Sequence, residues 1–367
     1  MKLTIVAGAR PNFIKIAPLI HEIQRVQAMG VNVAYRLVHT GQHYNAALSD
    51  VFFSEINIPA PDVNLGAGSG SQAVQAANIM VRFEEELLQN RPDCVIVVGD
   101  VNSTMACAIT AKKLNIKLAH IEAGIRSFDR TMPEEINRLV TDSITDYFFT
   151  TTPLASQNLI TAGIDEMSIF FVGNIMIDTL AKNIDKTIMP EQPGISSLEK
   201  GEYLVLTLHR PVNVDDKQVL EEIIHTITAG IEGYKLIFPV HPRTRKTLEQ
   251  ISLDTRNIVF TEPLSYLQFI ALVKNSKGVI TDSGGIQEET TWMGIPCITI
   301  RDTTERPETV EQGTNILVGN DRHLLKTELN DIIAGKEHKH TIPEKWDGNT
   351  AARIVEILLT LPIGNNV

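Results

Sequence analysis

Long apolar runs are missing from this sequence. No stretch approaches the ~18 apolar residues that cross a bilayer. The apolar start, MKLTIVAGAR, is interrupted at Arg10, too early for a signal peptide. A membrane protein is therefore not expected, and the cytoplasm is the expected compartment. Cysteine is scarce: the three residues Cys94, Cys107 and Cys297 are an odd number without metal-type spacing. A disulfide scaffold is excluded, and buried reduced thiols in a reducing compartment are expected. Positive charge is in deficit, with 33 Lys and Arg against 44 Asp and Glu for a net −11. Such a chain is repelled by a phosphate backbone, so nucleic acid is not an expected partner. The G-x-x-x-x-G-K-[ST] loop and the G-x-G-x-x-G fingerprint are both absent, which counts against a P-loop NTPase and weakens a dehydrogenase reading. No His/Cys/Asp cluster has metal-ligand spacing, so no metal is expected.

What is present is an ordinary globular balance, 43% hydrophobic and 21% charged, over 367 residues. That length suggests about two domains. Residues 3–7 read as a strand, and Phe13, Ile16, Ile20 and Ile23 then recur at helical spacing. Further strand-like runs are 35–38, 94–98, 117–121, 147–150 and 169–172, each followed by a polar or Gly-containing loop. Segment 183–201, with Pro190, Pro193, Gly194, Ser196 and Ser197, breaks the pattern and reads as a linker or loop. The alternation restarts with 203–208, 236–240, 258–261, 278–281, 296–300 and 315–318. Strands alternating with helices imply parallel sheets. The expected fold class is α/β with two Rossmann-like, doubly wound domains, whose ligands bind beyond the carboxyl ends of the strands. An amphipathic helix at 350–361 closes the chain.

The polar residues that stand out follow strands. In 8–15, GARPNFIK, a glycine permits a tight turn, a helix N-terminus faces an anion, and Arg10 and Lys15 add positive charge. In 281–285, TDSGG, two glycines expose backbone N–H groups beside Ser283, which suits a pyrophosphate. Glu289 follows one turn into that helix, where a carboxylate can accept bonds from ribose hydroxyls. Asp100 and Glu122 end adjacent strands, and two carboxylates converging in one cleft are what acid–base chemistry needs. Glu134 and Glu135 open a helix, where the dipole alone also favours acidic residues. His209 and His241 end the first two strands of the second half.

Together these residues resemble the bacterial UDP-N-acetylglucosamine 2-epimerases of the non-hydrolysing kind. The resemblance is carried by GARPNFIK (8–15), TGQH (40–43), GDVNST (99–104), HIEAGIR (120–126), PEEINR (133–138), Gly173-Asn174, His209-Arg210, His241-Pro242, TDSGGIQEE (281–289) and RDTTERPE (301–308), in the family's order. It implies a glycosyltransferase-B architecture with the active site in an interdomain cleft. The implied domains are 1–175, joined by the terminal helix at about 350–367, and 176–349. The implied reaction interconverts UDP-GlcNAc and UDP-ManNAc through loss of UDP to 2-acetamidoglucal, with no cofactor. Asp100, Glu122 and Glu134 match the catalytic carboxylates, with His209 beside the phosphates. Arg10, Lys15, Ser283, Gly284, Gly285 and Arg306 match pyrophosphate or nucleotide positions, Phe269 a uracil contact and Glu289 a ribose contact. Gln42, His43, Arg210 and His241, with Glu135 a weaker member, match the site of a second, regulatory UDP-GlcNAc. A homodimer serving polysaccharide biosynthesis is implied as well.

The sequence also departs from the family. Val101-Asn102 stands where many members have Thr-Thr, and Trp346-Asp347-Gly348-Asn349 replaces a common Asn-Pro-Tyr-Gly-Asp-Gly stretch. GDxNST, HIEAGIRSF and HPRTR are also similar to relatives acting on a 2,3-diacetamido uronic-acid sugar, although the intact RDTTERPE favours plain UDP-GlcNAc. A hydrolysing epimerase, a retaining glycosyltransferase and a non-catalytic nucleotide-sugar sensor are the other readings.

Overall fold

The computed structural model describes residues 1–42, 53–336 and 340–363, the side chain of Arg10 excepted. The chain divides into two compact units, residues 1–182 with 344–367, and residues 183–343.

In the first unit, strands with nearly continuous apolar character become the middle of a sheet. β4 (Cys94–Val98), CVIVV, is buried along its whole length, as expected of a parallel strand covered on both faces. Around it lie β1 (Lys2–Ala7), β2 (Ala34–His39), β3 (Val63–Asn64), β5 (Lys117–Ala123), β6 (Tyr147–Thr150) and β7 (Ile169–Phe171). Among the described residues the order is β3-β2-β1-β4-β5-β6-β7, parallel throughout. The order reverses between β1 and β4, the switch point at which such sheets open a crevice beyond their strand ends. Ile79, Phe83 and Leu87 of helix Gln72–Gln89 cover one face with Ala106, Cys107 and Ala111. The terminal helix Thr350–Thr360 packs against helix Arg10–Ala28. Its first turn is capped by Asp178, which accepts from Thr350 N at 3.1 Å and Ala351 N at 2.7 Å.

The second unit repeats the plan with β8 (Tyr203–Thr207), β9 (Lys235–Pro239), β10 (Ile258–Thr261), β11 (Gly278–Thr281), β12 (Cys297–Thr299) and β13 (Asn315–Leu317). Their order is β10-β9-β8-β11-β12-β13, again parallel. The switch point falls between β8 and β11. Apolar clusters around Leu206, Phe238 and Ile280 on one side and Tyr203, Ile237 and Val279 on the other make the sheet two-faced.

Two local features go beyond what the sequence shows. Segment 183–201, which reads as a linker or loop, begins at the division between the units and is a packed loop: Ile195 is fully buried with Tyr203 and Val205, and Met189 and Leu198 pack on the same cluster. Its turn residues hid a packed loop with a short 3-10 turn at Ile184–Lys186. β3 has only two residues, too few to show any periodicity in sequence.

Candidate active site

The first unit gathers its polar residues where β1, β4 and β5 end. After β1, Asn12 folds its side chain back so that Oδ1 accepts from Gly8 N at 3.1 Å and Ala9 N at 3.0 Å. Its Nδ2 donates to Val98 O at 3.1 Å, joining the first turn to the end of β4. One helical turn on, Lys15 Nζ lies 2.6 Å from Glu122 Oε2, both side chains nearly buried. Glu122 reaches it through a distorted backbone. The β5–β6 register shifts between Ile121 and Ala123, and Glu122 sits at φ +69°. A left-handed non-glycine residue at a bulge is strained by ~1–2 kcal/mol and re-aims its side chain, and such strain clusters at functional sites. Gly99 turns the chain beside this corner at φ +68°, a left-handed conformation that favours glycine; an added Cβ would make only ordinary contact, 3.4 Å from Lys15 Nζ and 3.7 Å from Glu122 Oε2.

Asp100 follows directly and has its own cation. Arg138 Nη2 donates to Asp100 Oδ2 at 2.5 Å, while Nη1 donates to Glu135 Oε2 at 2.9 Å. Both residues come from helix Pro133–Ile144, on whose first turn Glu134 is exposed and Glu135 is buried. Glu135 also accepts from Ser127 N at 2.9 Å, Ser127 Oγ at 3.0 Å and Phe128 N at 3.2 Å. Behind them His120 is fully buried, its ring nitrogens 2.7 Å from Asp142 Oδ1 and 2.9 Å from Gly99 O. Burial pushes the Asp142 carboxyl up, but bonds and charge from His120 and Arg126 outweigh it and hold it below the usual carboxylate range.

In the second unit the corresponding rim lies beyond β8 and β11. Asp282, fully buried, accepts from His209 N at 3.1 Å, Arg210 N at 2.9 Å and Asn213 Nδ2 at 3.1 Å. Its Oδ1 also lies 2.7 Å from His209 Nδ1. Burial raises this carboxyl too, and the same partners bring it below its ordinary range. The His241 ring stands 6.1 Å from that of His209, and its Nδ1 accepts from Arg243 N at 3.2 Å at the start of helix Pro242–Leu248. Ser283 is the N-cap of helix Gly284–Met293, so the free N–H groups of its first turn face outward beside the switch point. At Gly284 a Cβ would stand 2.7 Å from Glu305 Oε1, so a larger residue would have to push that carboxylate aside. That carboxylate is held by Arg301, Nη2 to Oε2 2.5 Å. Arg306 pairs with Glu288 at 2.6 Å, both buried.

Glu289 is buried rather than on the helix surface. Burial and the neighbouring Glu288 push its carboxyl up to about 8, against the pull of a bond with Tyr266. Phe269, on helix Tyr266–Asn275, is half-buried against the cluster of Leu264 and Ile286. Gln42 is buried, with Oε1 accepting from Ser103 Oγ at 2.7 Å and Ser103 N at 3.3 Å. His43 and the side chain of Arg10 lie outside the described residues.

Thus Lys15, Asp100, Glu122 and Glu135 gather at one rim, with Glu134 exposed on the first turn of the helix that carries Glu135, and His209, Arg210, His241, Ser283, Gly284 and Gly285 lie at another. The residues that anchor them, Asn12, Arg138 and Asp282, were not singled out from sequence. Asp282 had a signal, since it stands inside TDSGG; Asn12 and Arg138 had none beyond their place in GARPNFIK and PEEINR.

Comparison with known proteins follows the same outline. The sequence model of a family described as UDP-N-acetylglucosamine 2-epimerase matches residues 25–359. A UDP-N-acetylglucosamine 2-epimerase of Methanocaldococcus jannaschii is 42% identical, over 98% of this chain and 99% of its own. A UDP-2,3-diacetamido-2,3-dideoxy-D-glucuronate 2-epimerase of Pseudomonas aeruginosa is 36% identical, over 98% of this chain and 100% of its own. The crystal structure of the M. jannaschii enzyme in complex with UDP-GlcNAc and UDP superposes with a TM-score of 0.87 at 41% identity, covering 98% of this chain and 99% of that one.

Proposed function

Because the chain belongs to the UDP-N-acetylglucosamine 2-epimerase family, we propose that it interconverts UDP-GlcNAc and UDP-ManNAc by inverting C2 of the sugar. The observation that carries this reading is the pair of carboxylates ending adjacent strands, Asp100 and Glu122, each held by its own buried cation.

In this reading the rim of the first unit supplies the proton-transferring carboxylates, and the rim of the second supplies donors suited to a pyrophosphate. The bond from C1 to the UDP oxygen and the C2–H bond break, giving 2-acetamidoglucal, UDP and a proton. As C1–O breaks, C1 gains oxocarbenium character and C2–H becomes acidic. Asp100, Glu122 and Glu134 take the proton from one face and return one to the other, a role in which a positioned group contributes ~10²–10⁴-fold. UDP then re-adds to C1. Its developing charge is stabilised by preorganised donors: the N–H groups of Gly284 and Gly285, Ser283, Arg306, Arg10, and Lys15, which also steadies Glu122. His209, held by Asp282, lies beside the phosphates. Glu289 accepts from the ribose, and Phe269 contacts the uracil. A second UDP-GlcNAc is bound by Gln42, His43, Arg210 and His241, with Glu135 acting from behind; the M. jannaschii enzyme solved with both UDP-GlcNAc and UDP supports that reading. The active form is a homodimer in the cytoplasm. Among the described residues no helix is long and apolar enough to cross a membrane, and burial holds the thiols of Cys94, Cys107 and Cys297 above the usual range.

The test is incubation with UDP-GlcNAc alone in D₂O, followed by NMR. The expected outcome is UDP-ManNAc carrying deuterium at C2, deuterium also in recovered UDP-GlcNAc, unchanged configuration at C1 and no effect of added NAD. Release of free sugar, or retention of the original C2 hydrogen, overturns it. The same incubation with the diacetamido uronate nucleotide tests the substrate of the Pseudomonas relative, and a rate far above that with UDP-GlcNAc would replace the assignment.

A further inference from the structure

Arg138 is the residue whose geometry exceeds any role given to it so far. Its side chain is almost wholly buried, and its two terminal nitrogens serve two different carboxylates, Asp100 and Glu135. Asp100 belongs to the proposed catalytic set, Glu135 to the proposed regulatory set. Glu135 in turn holds the 127–128 turn through three bonds, and that turn ends in Phe128 at φ +60° with its ring exposed. A second route runs beside the first. Asn137 Nδ2 donates to Asp100 O at 2.8 Å and to Asn102 Oδ1 at 3.2 Å. Asn102 Nδ2 donates to Gln75 Oε1 at 2.8 Å, and Gln75 Nε2 to Gln42 O at 3.3 Å. Both routes start at a residue of the regulatory set and finish on Asp100, one on its carboxylate and one on its backbone.

A guanidinium is a planar fork whose donors keep fixed directions. It cannot follow a shift of Glu135 without re-aiming the bond it gives Asp100. Burial makes both bonds strong and any loss of alignment expensive. Resting on the assignments of the preceding section, we propose that Arg138 is a positioning residue that couples the regulatory sugar-nucleotide site to Asp100. Ligand engaging Gln42 and the Glu135 region sets the aim of the Asp100 carboxylate, without Arg138 touching the sugar.

The test uses the full chain with Arg138→Lys, which keeps the charge and loses the fork, and Glu135→Gln, which keeps the shape and loses the charge pulling on it. Turnover and KM for UDP-GlcNAc are measured with each. Conversion of pure UDP-ManNAc is measured with and without a trace of UDP-GlcNAc. In the wild type the trace accelerates the reverse reaction. In Arg138→Lys, kcat falls about 10²-fold, the scale of a 1 Å misplacement, KM moves less than about threefold, and the acceleration disappears. Glu135→Gln loses the acceleration with a smaller fall in kcat. A merely structural arginine would change the thermal transition and leave the acceleration intact; that result, or near-normal kcat in Arg138→Lys, overturns the proposal. If Arg138→Lys does not fold, Arg138→Gln, whose planar amide keeps two donors, is read by the same acceleration, and its retention overturns the proposal. A wild type that leaves UDP-GlcNAc unconverted overturns the assigned function, and the proposal with it; a wild type that is active while both variants keep the acceleration overturns the proposal only.

Discussion

Lys15 Nζ and Glu122 Oε2 stand 2.6 Å apart with both side chains almost out of solvent, so the first helix and the end of β5 share a buried ion pair. Removing one member of such a pair leaves an uncompensated charge and costs about 3–5 kcal/mol, whereas removing both is far milder. Lys15→Met should therefore lower the thermal transition more than the double variant Lys15→Met/Glu122→Gln does. Turnover should fall by ~10²-fold or more in both: the double variant lacks the carboxylate that moves the proton, and Lys15→Met lacks the cation that holds that carboxylate and meets the developing charge of UDP. A double variant that recovers activity along with stability would reduce Glu122 to a structural role.

Glu289 gives a pH dependence with a definite sign. Its carboxyl is raised to about 8, so below that pH the unliganded site holds a proton. Ribose hydroxyls donate to the charged form, so binding favours loss of that proton. Affinity for UDP should rise with pH up to about 8, and binding should release protons, seen by calorimetry in buffers of different ionisation enthalpy. Glu289→Gln should abolish the part that belongs to this group; subtracting its profile removes the ionisation of UDP itself. A difference profile that is flat, or that falls with pH, would reject the ribose role.

Legibility in the sequence followed the range of the interactions. CVIVV reads as a central strand because burial on both faces demands an unbroken apolar run. The turns after β1, β4 and β11 are visible because Gly8, Gly99 and Gly284 mark sharp changes of direction beside charge. The left-handed backbone of Glu122 was not visible, since nothing local requires a glutamate at φ +69°; the register shift against β6 imposes it. Arg138 is hidden for a related reason. An arginine one turn into a helix is ordinarily a solvated cation, and only the packing of that helix against β5 turns it inward to Asp100. Asp282 depends on β8 lying next to β11, a pairing between residues more than seventy positions apart.

Gly124 closes the Glu122 loop and sits at φ +77°, where an added Cβ would meet the Ala155 carbonyl oxygen at 2.1 Å. Backbone cannot step aside as a side chain can. Gly124→Ala should combine left-handed strain of ~1–2 kcal/mol with an overpacking penalty of ~1–3 kcal/mol. Gly30→Ala is the control, since Gly30 is at φ +89° with nothing within 4 Å and carries the strain alone. Urea unfolding of the two variants should separate them clearly, with Gly124→Ala the weaker. Equal stabilities would mean that the 124–155 approach is looser than described.

Asp178 is expected to make the terminal helix sensitive to pH, in the direction opposite to most carboxylates. Its side chain caps Thr350–Thr360 through Thr350 N and Ala351 N. Burial nevertheless dominates and raises its carboxyl from 3.8 to about 6. Between those values the folded chain binds more protons than the unfolded one, so this group's contribution to stability falls as pH rises through the window. The whole shift corresponds to about 3 kcal/mol. Asp178→Asn keeps an acceptor for the cap and removes the titration. Wild type should therefore gain on Asp178→Asn as pH falls from neutral towards 4, by an amount read from urea unfolding at each pH. Asp178→Ala should be weaker than Asp178→Asn at neutral pH, by the ~0.5–2 kcal/mol of a lost helix cap. Limited proteolysis should then cut first near the terminal helix. A wild-type advantage that grows with rising pH instead would mean that the two N–H bonds outweigh burial, and that Asp178 is an ordinary stabilising carboxylate.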